Sequence, residues 1–144
     1  MDIKAIQMSE KRERYYRLFF LLCAVYDIVL GILFIFFYEF AFSILGIVDK
    51  LPVFGGYISL IGSFLLVIGI AYWLIYRGNL YQNRDLIIVG ALYKLAYCTV
   101  SFFYFSVGDV PHIVFVALFG VIDLIMFALM MECVFFLKRS SERK

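Results

Sequence analysis

Charge is scarce in this sequence, and the scarcity excludes most soluble chemistry. Of 144 residues 17% are charged and 65% hydrophobic, with a mean hydropathy of +0.99, a balance far outside that of soluble domains. Cysteine is limited to Cys23, Cys98 and Cys133. No C-x-x-C occurs, so dithiol redox chemistry has no visible centre, and isolated thiols in apolar runs read as small packing residues. Histidine occurs once, as His112. Its place at the outer end of an apolar run reads as a solvated interfacial residue rather than a buried ligand or shuttle. Without a His/Glu cluster, a Ser/His pair or a glycine-rich phosphate loop, nothing points to a metal, a nucleophilic hydrolase or a nucleotide site. Nucleic-acid binding has no support either. No cofactor is predicted; a quinone or a lipid is the kind of ligand left open. The two prolines, Pro52 and Pro111, are expected at outer helix starts, where a missing amide proton costs nothing.

What is present is four long apolar stretches, residues 18–38, 54–76, 86–107 and 112–137. Each has about the ~20 residues a helix needs to cross a ~30 Å hydrocarbon core. Nothing alternates with the period of a barrel strand, and a backbone without water is satisfied most simply by helices. The expected fold is an all-α membrane protein, a four-transmembrane-helix up-down bundle occupying 1–144 as a single domain. The connections at 79–85 and 106–111 are short enough to join only antiparallel neighbours. The longer segment EFAFSILGIVDKLP is half apolar and is expected to lie in the outer interface.

Positive charge collects on one side. Lys4, Lys11, Arg12, Arg14 and Arg17 precede the first span, Arg77 and Arg84 flank the middle loop, and Lys138, Arg139, Arg143 and Lys144 close the chain, whereas the outer loops carry only Lys50. By the positive-inside rule both termini are cytoplasmic. The basic N-terminal region resembles that of a signal peptide, but its apolar run is too long and lacks a small-x-small cleavage site, so it reads as an uncleaved span. Its basic cluster reads as a topology signal in contact with headgroups, with a specific partner or anionic-lipid site as the alternative. Trp73, Tyr76 and Tyr81 fit an aromatic belt inside, Tyr38 and Phe40 one outside.

At ~100° per residue, Ile87, Gly90, Ala91, Lys94, Tyr97, Cys98 and Ser101 share one stripe of the third span. Small residues mark helix faces that approach closely. Gly55, Ser59, Gly62, Ser63 and Gly69 supply such a face on the second span, Ala24, Asp27 and Gly31 on the first, and Gly120 and Asp123 on the fourth. Ionisable groups at membrane depth are costly and suggest function by default. Asp27 lies ten residues beyond Arg17 and Lys94 ten beyond Arg84, so both sit roughly 15 Å from the cytoplasmic charges. Asp123 lies fifteen residues before Lys138, about 22 Å from the same side. Lys94 is therefore expected to be held by Asp27, Asp123 or both. Two carboxylates and one ammonium leave a net negative charge in a medium that penalises it, so one aspartate is expected to hold a proton unless a cation or water-filled cavity compensates. Tyr26, Tyr72, Tyr93 and Tyr97 are candidates to supply hydroxyls. Glu132 falls about half a turn from Asp123 in azimuth and is expected to reach water or a basic partner near the headgroups.

The order of these residues resembles the small, functionally uncharacterised bacterial four-span proteins described as DoxX-like or BphX-like. The likeness rests on Tyr26, Asp27 and Gly31; on Gly62, Gly69 and Tyr72; on Asn83, Arg84, Gly90 and Lys94; and on Gly108, Pro111 and Asp123. It implies the four-span fold, the polar centre and a multi-pass place in the bacterial inner membrane, without implying an activity. Two functional readings are open. In the first the chain is a non-enzymatic accessory or assembly subunit whose Asp27, Lys94 and Asp123 fix the bundle, with membrane lipids and a homo-oligomer or larger membrane complex as its surroundings. In the second the same residues, with Tyr26, Tyr72 and Tyr97, bind a lipophilic substrate, a quinone or a proton in a transporter or membrane enzyme. A cavity of roughly 300 Å³ or more reaching Lys94 would favour the second.

Overall fold

The computed structural model describes residues 9–141, and among them every regular element is helical. Helix α1 runs Glu10–Phe36, α2 Tyr38–Ile44, α3 Gly56–Arg77, α4 Arg84–Ser106, α5 Ile113–Val116 and α6 Asp123–Ser141; a short 3₁₀ turn covers Val48–Lys50, and a π-turn, Ala117–Ile122, joins α5 to α6 without a break. Four helical stretches, Glu10–Phe36, Gly56–Arg77, Arg84–Ser106 and Ile113–Ser140, are long and apolar enough to cross a membrane. Lys4, Arg143 and Lys144 lie outside the described residues.

The first helix starts eight residues ahead of the apolar stretch it contains. Local chemistry explains the extension. Ser9 caps the helix by accepting from the Arg12 amide at 3.4 Å, and Glu10 and Glu13 place negative charge in the first turn, where the helix dipole favours it. At the far end Phe37 leaves helical geometry, and α2 begins at once. The segment expected in the outer interface is thus ordered as a helical turn and a 3₁₀ turn, with Phe42 and Ile47 buried. Gly46 and Gly108 adopt positive φ, 68° and 74°, just past α2 and α4. Only glycine takes that conformation without strain, and both positions reverse the chain. The prolines stand further from the helices than expected: Pro52 precedes the loop into α3, and Pro111 precedes the capping residue His112 rather than opening α5.

Packing divides the molecule into two close pairs, α1 with α3 and α4 with α6; between the pairs the backbones approach much less, chiefly where α3 meets α4. Glycines set the first pair. A methyl added at Gly31 would stand 2.8 Å from the Gly62 carbonyl, and one at Gly62 would stand 2.8 Å from the Gly31 carbonyl, so the two backbones touch. Gly69 meets Ile28 and Ala24 in the same way. Ser63, expected on this face, is instead exposed and donates to the Ser59 carbonyl at 2.9 Å; it lies one position round from Gly62 and misses the narrow contact. Large side chains fill the wider seam between the pairs. They form two apolar clusters, one built on Tyr16, Phe20, Tyr72 and Met130, the other on Leu30, Phe34, Leu65 and Phe119. The charged residues lie between them in chain order on α1 and on the last span.

Candidate functional site

Lys94 is fully buried, 0% exposed, and so are Asp27 and Asp123. Its Nζ donates to Asp27 Oδ1 and to Asp123 Oδ1, both at 2.8 Å. Three helices therefore meet at one nitrogen: α1 brings the first carboxylate, α4 the ammonium and α6 the second carboxylate. Asp123 is the first residue of α6, directly after the π-turn. A π-turn contains one residue more per turn than an α-helix and re-aims the helix beyond it. Gly120 sits inside that turn, within 3.2 Å of the Phe102 ring if it carried a methyl, so the last span is pressed close to α4 next to the aspartate.

Aromatic rings complete the enclosure. Nζ lies 5.0 Å from the centroid of the Tyr26 ring and 5.9 Å from that of Tyr72, within the range where a ring face attracts a cation. The hydroxyls do not serve the charges. Tyr26 donates to the Leu118 carbonyl in the π-turn at 2.9 Å, and Tyr72 to the Gly90 carbonyl at 2.9 Å. Expected as hydroxyl donors, these tyrosines contribute ring faces to the cluster and use their hydroxyls as ties between helices. Replacing Tyr72 with Phe should accordingly lower the melting stability in detergent by about 1 kcal/mol while leaving the cluster intact; Tyr72→Ala, which removes a fully buried ring, should lower it by about 3–5 kcal/mol.

The carboxylates are only half used. Oδ2 of Asp27 and Oδ2 of Asp123 are buried with no hydrogen-bond partner. Each aspartate spends one oxygen on Lys94, and a proton that balanced the cluster would sit on one of the two remaining oxygens.

Tyr97 stands apart. Its ring packs on Tyr93 at 4.7 Å and on Phe119 at 5.6 Å, and it forms part of the wall of a cavity of about 570 Å³ in the half of the molecule that holds the α2–α3 and α4–α5 connections. Phe34, Ile58, Phe115 and Phe119 give that cavity an apolar lining, to which Lys50 and Asp109 add one charge of each sign. Asp27, Lys94 and Asp123 are not among its walls. The void is large enough for a small molecule, whose sites span ~300–1,000 Å³, yet it stops at Tyr97, one helical turn short of the lysine.

The remaining candidates are placed elsewhere. Glu132 is exposed and accepts from the Tyr16 hydroxyl at 2.9 Å; its partner is a phenol on α1 rather than a basic residue. His112 is half-buried and caps α5, Nδ1 accepting from the Val114 amide at 3.1 Å. The three cysteines are buried and unpaired. Among the described residues no group of His, Cys, Asp and Glu side chains could hold a metal ion. Sequence reasoning missed the π-turn, the cavity bordered by Tyr97 and a second recess where Arg14, Arg17 and Arg77 converge. The last is signalled by the basic cluster before the first span, whose alternative reading is a partner or anionic-lipid site, but nothing in the sequence brings Arg77 to it.

Four apolar helices of spanning length around a buried ion cluster define the class: a multi-pass helical membrane protein. No protein family, no curated protein and no solved structure matches this chain.

Proposed function

We propose that the chain is a non-catalytic membrane subunit, built as a four-span up-down bundle with both termini on the cytoplasmic side of a bacterial inner membrane, of the DoxX-like kind. The short connections after α3 and α4 support the alternation of spans. The arginines and lysines gathered at the start of α1, the α3–α4 connection and the end of α6 support the orientation. The observation that carries the functional reading is the burial of Lys94 between both aspartates, with no opening from the cavity bordered by Tyr97 to any of the three. A reacting or transported molecule needs access to the charged group that handles it. This cluster has walls on every side and bridges two helix pairs whose backbones scarcely touch, so it serves as the brace of the fold.

The outer surface supports an accessory or assembly role. Large apolar residues such as Leu22, Val29, Phe64, Val67, Val89 and Phe103 are exposed along the spans, and partners would be met within the bilayer as copies of the chain or as other membrane subunits. Purification in a mild detergent followed by native mass spectrometry and cross-linking in membranes tests this. The expected result is a defined assembly larger than the 16.8 kDa chain. A strict monomer that carries a quinone or lipid, and loses it without unfolding when Lys94 is changed to Met, would overturn it. The 570 Å³ cavity favours one second reading, in which a lipophilic molecule such as a quinone or lipid is held outside Tyr97, beside the charged cluster rather than on it.

A further inference from the structure

At the other end of the molecule, Arg14, Arg17 and Leu18 of α1 and Trp73, Tyr76 and Arg77 of α3 surround a recess of about 520 Å³. Three guanidiniums face one space, and they differ in how they are held. Arg17 is fixed: its Nε pairs with Glu13 Oε1 at 3.0 Å, and its Nη1 donates to the Tyr76 carbonyl at 3.0 Å. That second bond covers a last-turn carbonyl of α3, at the helix end whose partial negative charge would otherwise repel an anion. Arg14 and Arg77 are exposed, and no side-chain hydrogen bond or ion pair engages either of them among the described residues. Two carboxylates stand on the same side of α1, Glu13 paired to Arg17 and Glu10 four residues before Arg14, and against three guanidiniums they still leave a surplus of one positive charge.

The recess is also two-natured. On its apolar side Leu18 and Trp73 are exposed, and the Trp73 and Tyr76 rings pack at 5.4 Å. Along α1 the change from Arg17 to Leu18 marks the level at which the surface passes from charged to apolar, and along α3 the change from Trp73 to Arg77 marks the same level. A ligand that fits must be anionic at one end and oily at the other. Guanidinium forks match phosphate oxygens in pairs, and an indole beside them suits the depth where headgroup meets acyl chain.

We propose that this recess binds the phosphate of an anionic phospholipid, with Arg14 and Arg77 closing on the headgroup, Arg17 held ready beneath it, and Leu18 and Trp73 against the first part of the acyl chains. The site is independent of the charged cluster and of the subunit reading. Its selectivity is for surplus negative charge, since a zwitterionic headgroup brings a cation that the arginines repel.

Trp73 is the only tryptophan in the chain, so its fluorescence reports on this recess alone. The full-length protein is reconstituted in mixed vesicles in which either phosphatidylglycerol or phosphatidylcholine carries brominated chains, and quenching gives the relative occupancy of the two lipids. A preference of about tenfold for phosphatidylglycerol is expected, given the attraction of each basic side chain for an anionic lipid surface. Arg14→Gln combined with Arg77→Gln should bring the ratio close to one, whereas Arg12→Gln combined with Arg139→Gln, removing the same charge on the α6 side where Arg12 lies over the Phe136 ring, should leave it unchanged. Equal quenching by both lipids in the unaltered protein overturns the proposal. So does an equal loss of preference in the two double variants, which would mean diffuse surface charge. Displacement of the brominated lipid by millimolar inorganic phosphate at matched ionic strength would assign the recess to free phosphate and overturn the lipid assignment.

Discussion

Replacing Lys94 with Met should destabilise the protein more than any other substitution of a polar side chain. The ammonium is the shared partner of two carboxylates at 2.8 Å, all three side chains being 0% exposed. Without it Asp27 and Asp123 face each other across a cavity lined by tyrosine rings, and their four oxygens lose their only side-chain donor. Breaking a buried ion pair from one side costs about 3–5 kcal/mol. At roughly 2–4 °C per kcal/mol for a chain near 150 residues, the melting midpoint in detergent should fall by about 6–20 °C. The decisive comparison is the variant that also carries Asp27→Asn and Asp123→Asn. Two amides near each other can share a hydrogen bond, and the methionine fills the space of the lysine stem. Replacing a whole buried ion network by neutral groups is often close to neutral, so the triple variant should melt within about 1–2 kcal/mol of the original protein. If instead the triple variant is as unstable as Lys94→Met, the charges stabilise the fold by attraction itself, beyond mutual compensation.

The depth of the cluster is legible in the residue spacing alone. Asp27 stands ten residues beyond Arg17 and Lys94 ten beyond Arg84, and side-chain reach covers the offset of Asp123. Helix periodicity likewise brings Gly90, Ala91, Lys94 and Cys98 to one face, where all four are buried. What periodicity cannot supply is the width of the gap a face looks into. Gly62 and Ser63 are neighbours on the same turn, yet one touches the Gly31 backbone and the other is exposed, because a glycine contact is only about one residue wide. The tyrosines illustrate a second limit. Whether Tyr26 turns its hydroxyl or its ring toward Lys94 depends on a carbonyl at Leu118, ninety-two residues away in the chain, in a π-turn that no local pattern announces. The cavity is a third case, since its volume is a difference between helix spacing and side-chain size that only tertiary packing fixes.

The contact between α1 and α3 should prove as sensitive as the ion cluster, and Gly62→Leu tests it. The first added carbon alone would stand 2.8 Å from the Gly31 carbonyl oxygen, 2.9 Å from the Ile35 amide nitrogen and 2.9 Å from Phe34 Cβ. Two of those neighbours are backbone and the third is fixed to it, so no side-chain rotation relieves the clash. The helices must separate, and separation propagates along the line of Gly31, Gly62 and Gly69, where α1 and α3 are closest. Overpacking costs about 1–3 kcal/mol where neighbours can shift; a backbone obstacle places this site at or above the upper end. Because α1 also carries Asp27, moving it loosens the bond to Lys94, and since that bond can be lost only once, the combined loss should fall short of the sum of the separate losses when Gly62→Leu is combined with Asp27→Asn. Gly56→Leu supplies the control, being on the same helix with no atom within 4 Å of an added carbon. A melting midpoint that falls sharply for Gly62→Leu and by only a degree or two for Gly56→Leu is the expected outcome. Similar behaviour of the two variants would mean that the glycine faces are not in contact and that α1 is held to the bundle by its large side chains alone.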